Sequence, residues 1–342
     1  MNKIVENDKR KISFGLFNTL VSNMGVFFIL IVLVIAGMFI SDKFLTVSNF
    51  SNIISAVALL GIVAIGVSFV TYSGHFADMS VPVIMAYSGI ISVANLKYGI
   101  VISILSGIGI GLVIGLINAF AIGKLKANPI IWTLALSFIV SGYIRWAYSG
   151  NQIYPDVEGQ GNPAVDIFIN LFRVDIINGV PLVVFVMFAL AVIGQIVLTK
   201  TRFGKQLKLV GSSIEVAKMT GVNVTMTVGA AFMMSALTAS IGGIFLASLS
   251  KVGAYYNGVG YDFSAVTAIV LGGMTLAGGR GSIIGVIGGV FTLGLLNNLM
   301  TLFSIGGFSI DTFSQNMIRG IVFIIVVGVN ARSLRKMGRD DA

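Results

Sequence analysis

Runs of nearly uncharged apolar residues, parted by short polar connections, fill most of the chain, and nothing constrains its fold more. A helix crosses the hydrocarbon core of a bilayer with roughly 20 apolar residues, the usual range being about 17 to 25. Runs of that size are expected as spans at 24–40, 53–71, 79–96, 99–122, 129–147, 180–199, 225–249, 264–277, 282–303 and 313–331, the eighth of them short for a full crossing. Charged residues make up 10% of the 342 positions and the mean hydropathy is +0.98, which excludes an ordinary soluble domain. The fold class expected is all-α: a polytopic transmembrane helical bundle of about ten spans. Its 42 glycines suit helices that approach closely without water to drive them together.

Orientation follows from the cations. With the N-terminus inside, the inner segments hold Lys3, Lys9, Arg10, Lys11, Lys124, Lys126, the basic stretch from Lys200 to Lys218, Arg280 and the basic C-terminus. The outer loops hold only Lys43, Lys97, Arg173 and Lys251. That asymmetry is what the positive-inside rule demands, so both termini are expected in the cytoplasm. Residues 1–23 and 332–342 read as cytoplasmic tails around a membrane domain at 24–331. The loop 148–179, with Asp156, Glu158, Asp166 and Asp175, then faces out. The net charge of +9 records orientation rather than nucleic-acid binding. Without cysteine there are no disulfides and no thiolate metal sites.

A short internal repeat is present. Asp78-Met79-Ser80 precedes the third run and Gly115-Leu116-Ile117-Asn118 lies late in the fourth. Asp262-Phe263-Ser264 precedes the eighth and Gly294-Leu295-Leu296-Asn297 lies late in the ninth. The offset is five spans, so the two halves are expected to be inverted, an arrangement that recurs around membrane transport pathways. Asp78 and Asp262 stand at span ends, where capping the next helix is the plainer role and contact with a solute the other. Asn118 and Asn297 suit hydrogen bonding between helices. Arg319, two turns into the last span near Gln315 and Asn316, either lines a pathway or binds backbone carbonyls in the packing. Arg145 can snorkel from its span end, and the lone His75 reads as structural.

No phosphate-binding G-x-x-x-x-G-K-[ST] motif occurs and no G-x-G-x-x-G opens a helix after a strand, no paired carboxylates sit on one helix face, and the single histidine cannot make a metal cluster. Nothing points to an enzyme, so any energy input must come from outside the chain. The glycine-rich stretch 272–282 reads as a tight reversal. The charged segment 200–224 carries Ser212-Ser213-Ile214-Glu215, the S-x-x-E spacing of a capping box with Ser212 as cap. Gly221 follows where a short helix over 214–220 would stop.

Several stretches together resemble one family. Residues 258–285, with Gly272-Gly273-Met274-Thr275-Leu276-Ala277-Gly278-Gly279, are similar to a family segment Gly-Gly-x-x-Leu-x-Gly-Gly. Asn128-Pro129-Ile130-Ile131-Trp132-Thr133-Leu134 resembles its Pro-Phe-Ile-x-Thr-Leu region, with Ile130 for Phe. Asp78-Met79-Ser80-Val81-Pro82 resembles an Asp-Leu-Ser-Val-Gly stretch, with Pro82 for Gly. From about Phe44 to Asn330 the chain resembles the permease subunits of bacterial ABC importers for monosaccharides, the ribose, xylose and galactose branch. The resemblance implies a multi-pass subunit of the bacterial cytoplasmic (inner) membrane. A second permease chain, identical or a sister, would complete the pore. ABC ATPase subunits would dock below, and an extracytoplasmic sugar-binding protein would deliver the solute. This chain would hold no cofactor, ATP being bound by the partner. The segment 200–224 aligns with the family's coupling loop, whose Glu-x-Ala-x-x-x-Gly pattern reads Glu215, Ala217 and Gly221.

An ion-coupled secondary transporter of a small polar solute is the alternative, since it too uses inverted repeats. Against it, carboxylates for a proton relay within the spans are missing and the basic capped loop is unexplained. A membrane scaffold without transport is a third, weaker reading.

Overall fold

A computed structural model describes residues 24–155, 162–177, 180–305, 308–309, 311, 314–325 and 327–328. The expected tails at 1–23 and 332–342, the end of the tenth run, and Asp156 and Glu158 lie outside the described residues. The helices are α1 (Met24–Ile40), α2 (Val47–Tyr72), α3 (Val81–Ala94), α4 (Ile100–Asn118), α5 (Pro129–Ala147), α6 (Pro163–Asn170), α7 (Leu182–Lys200), α8 (Arg202–Ser212), α9 (Ile214–Met219), α10 (Val224–Ser250), α11 (Tyr261–Leu271) and α12 (Ile283–Leu302). Residues 314–325 form a further helix, α13. A π-helical turn, Ala119–Lys124, extends α4. Two short ribbons, β1 (Asp175–Ile177) with β2 (Val180–Pro181) and β3 (Ser304–Ile305) with β4 (Phe308–Ser309), close loops.

Every expected apolar run contains a helix. Among the described residues, six helices are long and apolar enough to cross a membrane, and α1, α3 and α11 are shorter apolar helices. Burial sorts the long ones. The most apolar windows of α2, α10 and α12 are 83%, 67% and 61% buried, whereas those of α4, α5 and α7 are 28%, 17% and 28% buried. The first three form the interior and the other three present their apolar faces outward, as lipid-facing helices do. Within the interior α2 and α10 pack on each other. Helix α10 also holds α3 and α4, and α2 holds α11 and α12.

Small residues set how close these helices come. Gly107, Gly111 and Gly115 form one stripe on α4. A Cβ on them would strike Ser92 of α3, Ser240 of α10 and Ala236 of α10 respectively. With no water to expel, association rests on such close contact. Helix starts are closed by side chains, as backbone N–H groups in apolar surroundings require. Thr46 accepts from Asn49 N–H, Asn128 from Ile131, Asn223 from Met226 and Ser282 from Gly285.

The eighth run is as short as expected: α11 is only 11 residues, about 16 Å of helix against a core of about 30 Å, because the glycine-rich reversal begins at Gly272. Two sequence expectations change. Asp262 does not cap α11; Gly260, at φ 85°, is the N-cap and Asp262 lies in the first turn. Asp78 does not cap α3, whose N-cap is Ser80. The loop 148–179 also holds an unforeseen helix, α6, pinned to α10 where Ser248 Oγ donates to Phe168 O at 2.6 Å and accepts from Phe172 N–H at 3.0 Å.

Gly111→Leu should lower the melting temperature of the purified protein by the several degrees of an overpacked contact, roughly 1–3 kcal/mol or more. Gly109→Leu should leave it unchanged, since a Cβ there meets nothing within 4 Å. Equal melting temperatures for the two would remove the stripe from the packing account.

Candidate functional site

The segment between α7 and α10 is an elbow of two helices rather than the single short one expected. Thr201 caps α8, accepting from Gly204 N–H at 3.2 Å. Leu207 and Val210 of α8 are buried. Ser212 is the last residue of α8, so its backbone is helical and it cannot cap α9. The cap is Ser213, extended at φ −164° and ψ 119°, whose Oγ accepts from Val216 N–H at 3.3 Å. The cap proposed at Ser212 is thus corrected by one residue. Glu215 lies exposed in the first turn of α9, where a carboxylate complements the helix dipole. Ala217 is fully buried. Gly221, at φ 75°, ends the elbow, and Val222 N–H closes back on Ala217 O at 3.0 Å. Outward the elbow shows Ile214, Val216 and Met219, the last 88% exposed.

Inward, the elbow meets the bundle through bare backbone. A Cβ on Gly211 would strike Tyr72 O, the end of α2, and would lie 2.6 Å from Gly279 N in the reversal between α11 and α12. Gly279 N–H donates to Tyr72 O at 2.9 Å. Gly278, at φ 87°, leaves room for Gly74, whose N a Cβ would approach to 2.5 Å. The glycine-rich stretch is therefore both a reversal and the seat of α8, with Ser212 Oγ against Gly279.

Helix α2 runs from this junction to the opposite end of the bundle, where its first turns line a cavity of about 1000 Å³. The cavity wall is polar for so apolar a chain. It carries Asn49, Asn52 and Ser55 of α2, Ser264 of α11, Asn297 and Asn298 of α12, and Arg319 of α13. Asn49 and Asn298 exchange amide hydrogen bonds of 3.1 and 2.6 Å. A second space of about 240 Å³ shares Ser264, Asn297 and Arg319. The cavity volume falls in the range of about 300–1,000 Å³ in which small-molecule sites lie.

The remaining repeat residues sit elsewhere. Asp78 is buried between helices. Its Oδ1 accepts from Ser80 N–H at 3.0 Å and from Ser80 Oγ at 2.5 Å, and its Oδ2 from Ser235 Oγ of α10 at 2.9 Å. Asn118 Nδ2 donates to Ser80 Oγ at 2.8 Å. This cluster ties α3, α4 and α10 and lines neither cavity. So Asn297 and Arg319 come together at the cavity while Asp78 and Asn118 come together in the packing. Asp262 is in neither lining. The Asn49–Asn298 pair and Ser235 escaped the sequence reading. A single polar residue in an apolar run carries no signal of the partner it finds on another helix.

Residues 49–327 match the family model described as branched-chain amino acid transport system / permease component. The chain is 33% identical over 313 residues to the L-arabinose transport system permease protein AraH of Escherichia coli (strain K12), covering 91% of each. It is 31% identical to the ribose import permease protein RbsC of Bacillus subtilis (strain 168), covering 91% of this chain and 93% of that one. It is 29% identical to the galactose/methyl galactoside import permease protein MglC of Haemophilus influenzae, covering 93% and 96%.

The cap correction has a direct check. Ser213→Ala should speed amide exchange across 214–219 by the several-fold that a lost cap of about 1 kcal/mol implies, while Ser212→Ala leaves those amides unchanged. Hydrogen–deuterium exchange read by mass spectrometry would return the cap to Ser212 if the two variants traded places.

Proposed function

The chain belongs to the family of transport-system permease components, and on that footing we propose that it forms the membrane pathway for a monosaccharide in an ATP-driven importer. The observation that carries the reading is end-to-end similarity to permeases named for arabinose, ribose and galactose. One relative's name specifies an ABC transporter. The large cavity has a hydroxyl- and amide-bearing wall without carboxylates among the described residues, which supports an uncharged polyol over a cationic solute.

In this reading the chain does no bond chemistry. The elbow, with Lys200, Arg202, Lys205, Lys208 and Lys218, lies in the cytoplasm by the positive-inside rule, and the cavity end faces out. A partner ATPase covers the exposed apolar side of α9, and Ala217 and Gly221 hold that helix in shape. An extracytoplasmic binding protein hands solute to the cavity, and a second permease chain completes the pore. Helices α3 and α11 are the short members of two inverted halves, five spans apart, and each is held by the long helix of the other half. Motion at α9 passes through Gly211 to α2 and to the α11–α12 reversal, so ATP binding opens one end as it closes the other.

Vesicles carrying the full importer should take up labelled pentose or galactose when ATP is held constant and an uncoupler is added, and should stop when ATP is withdrawn. Uptake that collapses with the uncoupler would pass the assignment to an ion-coupled transporter. Met219→Asp, which places a charge on the exposed face of α9, should lower both ATPase co-purification and uptake by tenfold or more while membrane insertion is retained. Undiminished co-purification would take the ATPase off this elbow.

A further inference from the structure

Two polar atoms in the cavity wall stand unpaired. Asn297 Oδ1 and Arg319 Nε are both buried and neither has a hydrogen-bond partner among the described residues. They come from different helices, α12 and α13, yet both residues line the large cavity and the smaller space beside it. A buried polar group left unpaired costs about 1–3 kcal/mol, more when it is charged. Two of them on one wall describe a site whose partner arrives from the cavity.

The chemistry of the pair restricts that partner. Asn297 Oδ1 only accepts, and Arg319 Nε–H only donates. A bare anion would satisfy the guanidinium and be repelled by the amide oxygen, and a bare cation would do the reverse. A hydroxyl is donor and acceptor at once, so one hydroxyl, or two on neighbouring carbons, satisfies both atoms. No carboxylate among the described residues lines either space to neutralise Arg319. The neighbouring Asn49 and Asn298 amides are already engaged with each other, whereas Asn297 Oδ1 and Arg319 Nε are the buried atoms of this wall left without a partner among the described residues.

We propose that Asn297 and Arg319 form a solute-binding station within the permease itself, which holds a sugar by its hydroxyl groups between delivery and release. The proposal rests on the monosaccharide-importer reading and adds that the pathway is not a passive conduit: the permease binds sugar with no binding protein present. The two groups close on the same hydroxyls only while α12 and α13 keep their present spacing, so a change in that spacing releases the sugar.

The chain has no cysteine, so a single introduced thiol can report on the cavity. Thr301 lines the larger space, one helical turn from Asn297, with its hydroxyl on Asn297 O at 3.0 Å. Full-length Thr301→Cys permease, assembled with its ATPase and reconstituted without binding protein, is treated with a hydrophilic methanethiosulfonate reagent. L-Arabinose, D-ribose, D-xylose and D-galactose are each titrated against the labelling rate. The transported sugar should slow labelling in the millimolar range. Adding Asn297→Ala or Arg319→Gln should raise the half-protecting concentration about tenfold, while labelling without sugar stays at its former rate. A thiol that does not react, a thiol that no sugar protects although the importer with its binding protein takes sugar up, or protection unmoved by both substitutions overturns the station. If the complete importer takes up none of the four sugars, the monosaccharide reading itself falls and the station falls with it, a result the uptake assay separates from the other three.

Discussion

Backbone polar groups that leave a helix inside a membrane must find partners within the protein, and the arrangement of this chain follows from that need. Two apolar helices, α3 and α11, have only 14 and 11 residues, short of the roughly 20 a crossing takes, so the segments that lead into or out of them carry non-helical backbone within the bundle. Such backbone is tolerated only where protein covers it. Here the covering groups are specific. Thr133 Oγ1 accepts from Met79 N–H at 3.0 Å, and Asp78 accepts from Ser80 N–H. Gly279 N–H goes to Tyr72 O, and Thr275 N–H to Arg280 O at 3.1 Å. The two longest helices, α2 and α10, are buried because each wraps the broken pair next to it.

The same need accounts for what could be read in advance. Hydrophobic run length located the helices, because each helix answers to the bilayer on its own; α5 begins and ends where its run does. What failed was local punctuation. S-x-x-E spacing points to Ser212 alone, and the shift to Ser213 is made by α8, whose last residue is Ser212. That helix is amphipathic and basic rather than apolar, so no membrane criterion detects it. Asp78 was legible as a residue near a helix start, but its tie to Ser235 spans 157 residues and depends on how α3 meets α10. At the site, Asn297 and Arg319 stood out as polar residues in apolar runs. That they share a cavity depended on α12 and α13 standing together, which no pattern in either run encodes.

The two ends of the bundle are chemically unlike. At the cavity end the wall is built from side chains with spare hydrogen-bonding capacity, the kind of surface that can exchange partners with a passing solute. At the elbow end the contact is backbone against backbone, with Gly211, Gly278, Gly279 and Tyr72 O in direct apposition. Helix α2 joins them as one continuous rod of 26 residues, about 39 Å long. A rigid element between an adaptable site and an unadaptable joint moves the site as a unit.

The joint at Gly211 also divides the surface of α8 and α9 by its tolerance for change. Side chains can repack around a neighbour, but Tyr72 O and Gly279 N have no rotamers with which to make room for a new Cβ. Ile214, Val216 and Met219, by contrast, turn much of their surface outward. The outward face can drift along with whatever sits upon it, and the inward face cannot. Sister chains that serve different partners should therefore differ on one side of this short elbow and keep glycine on the other.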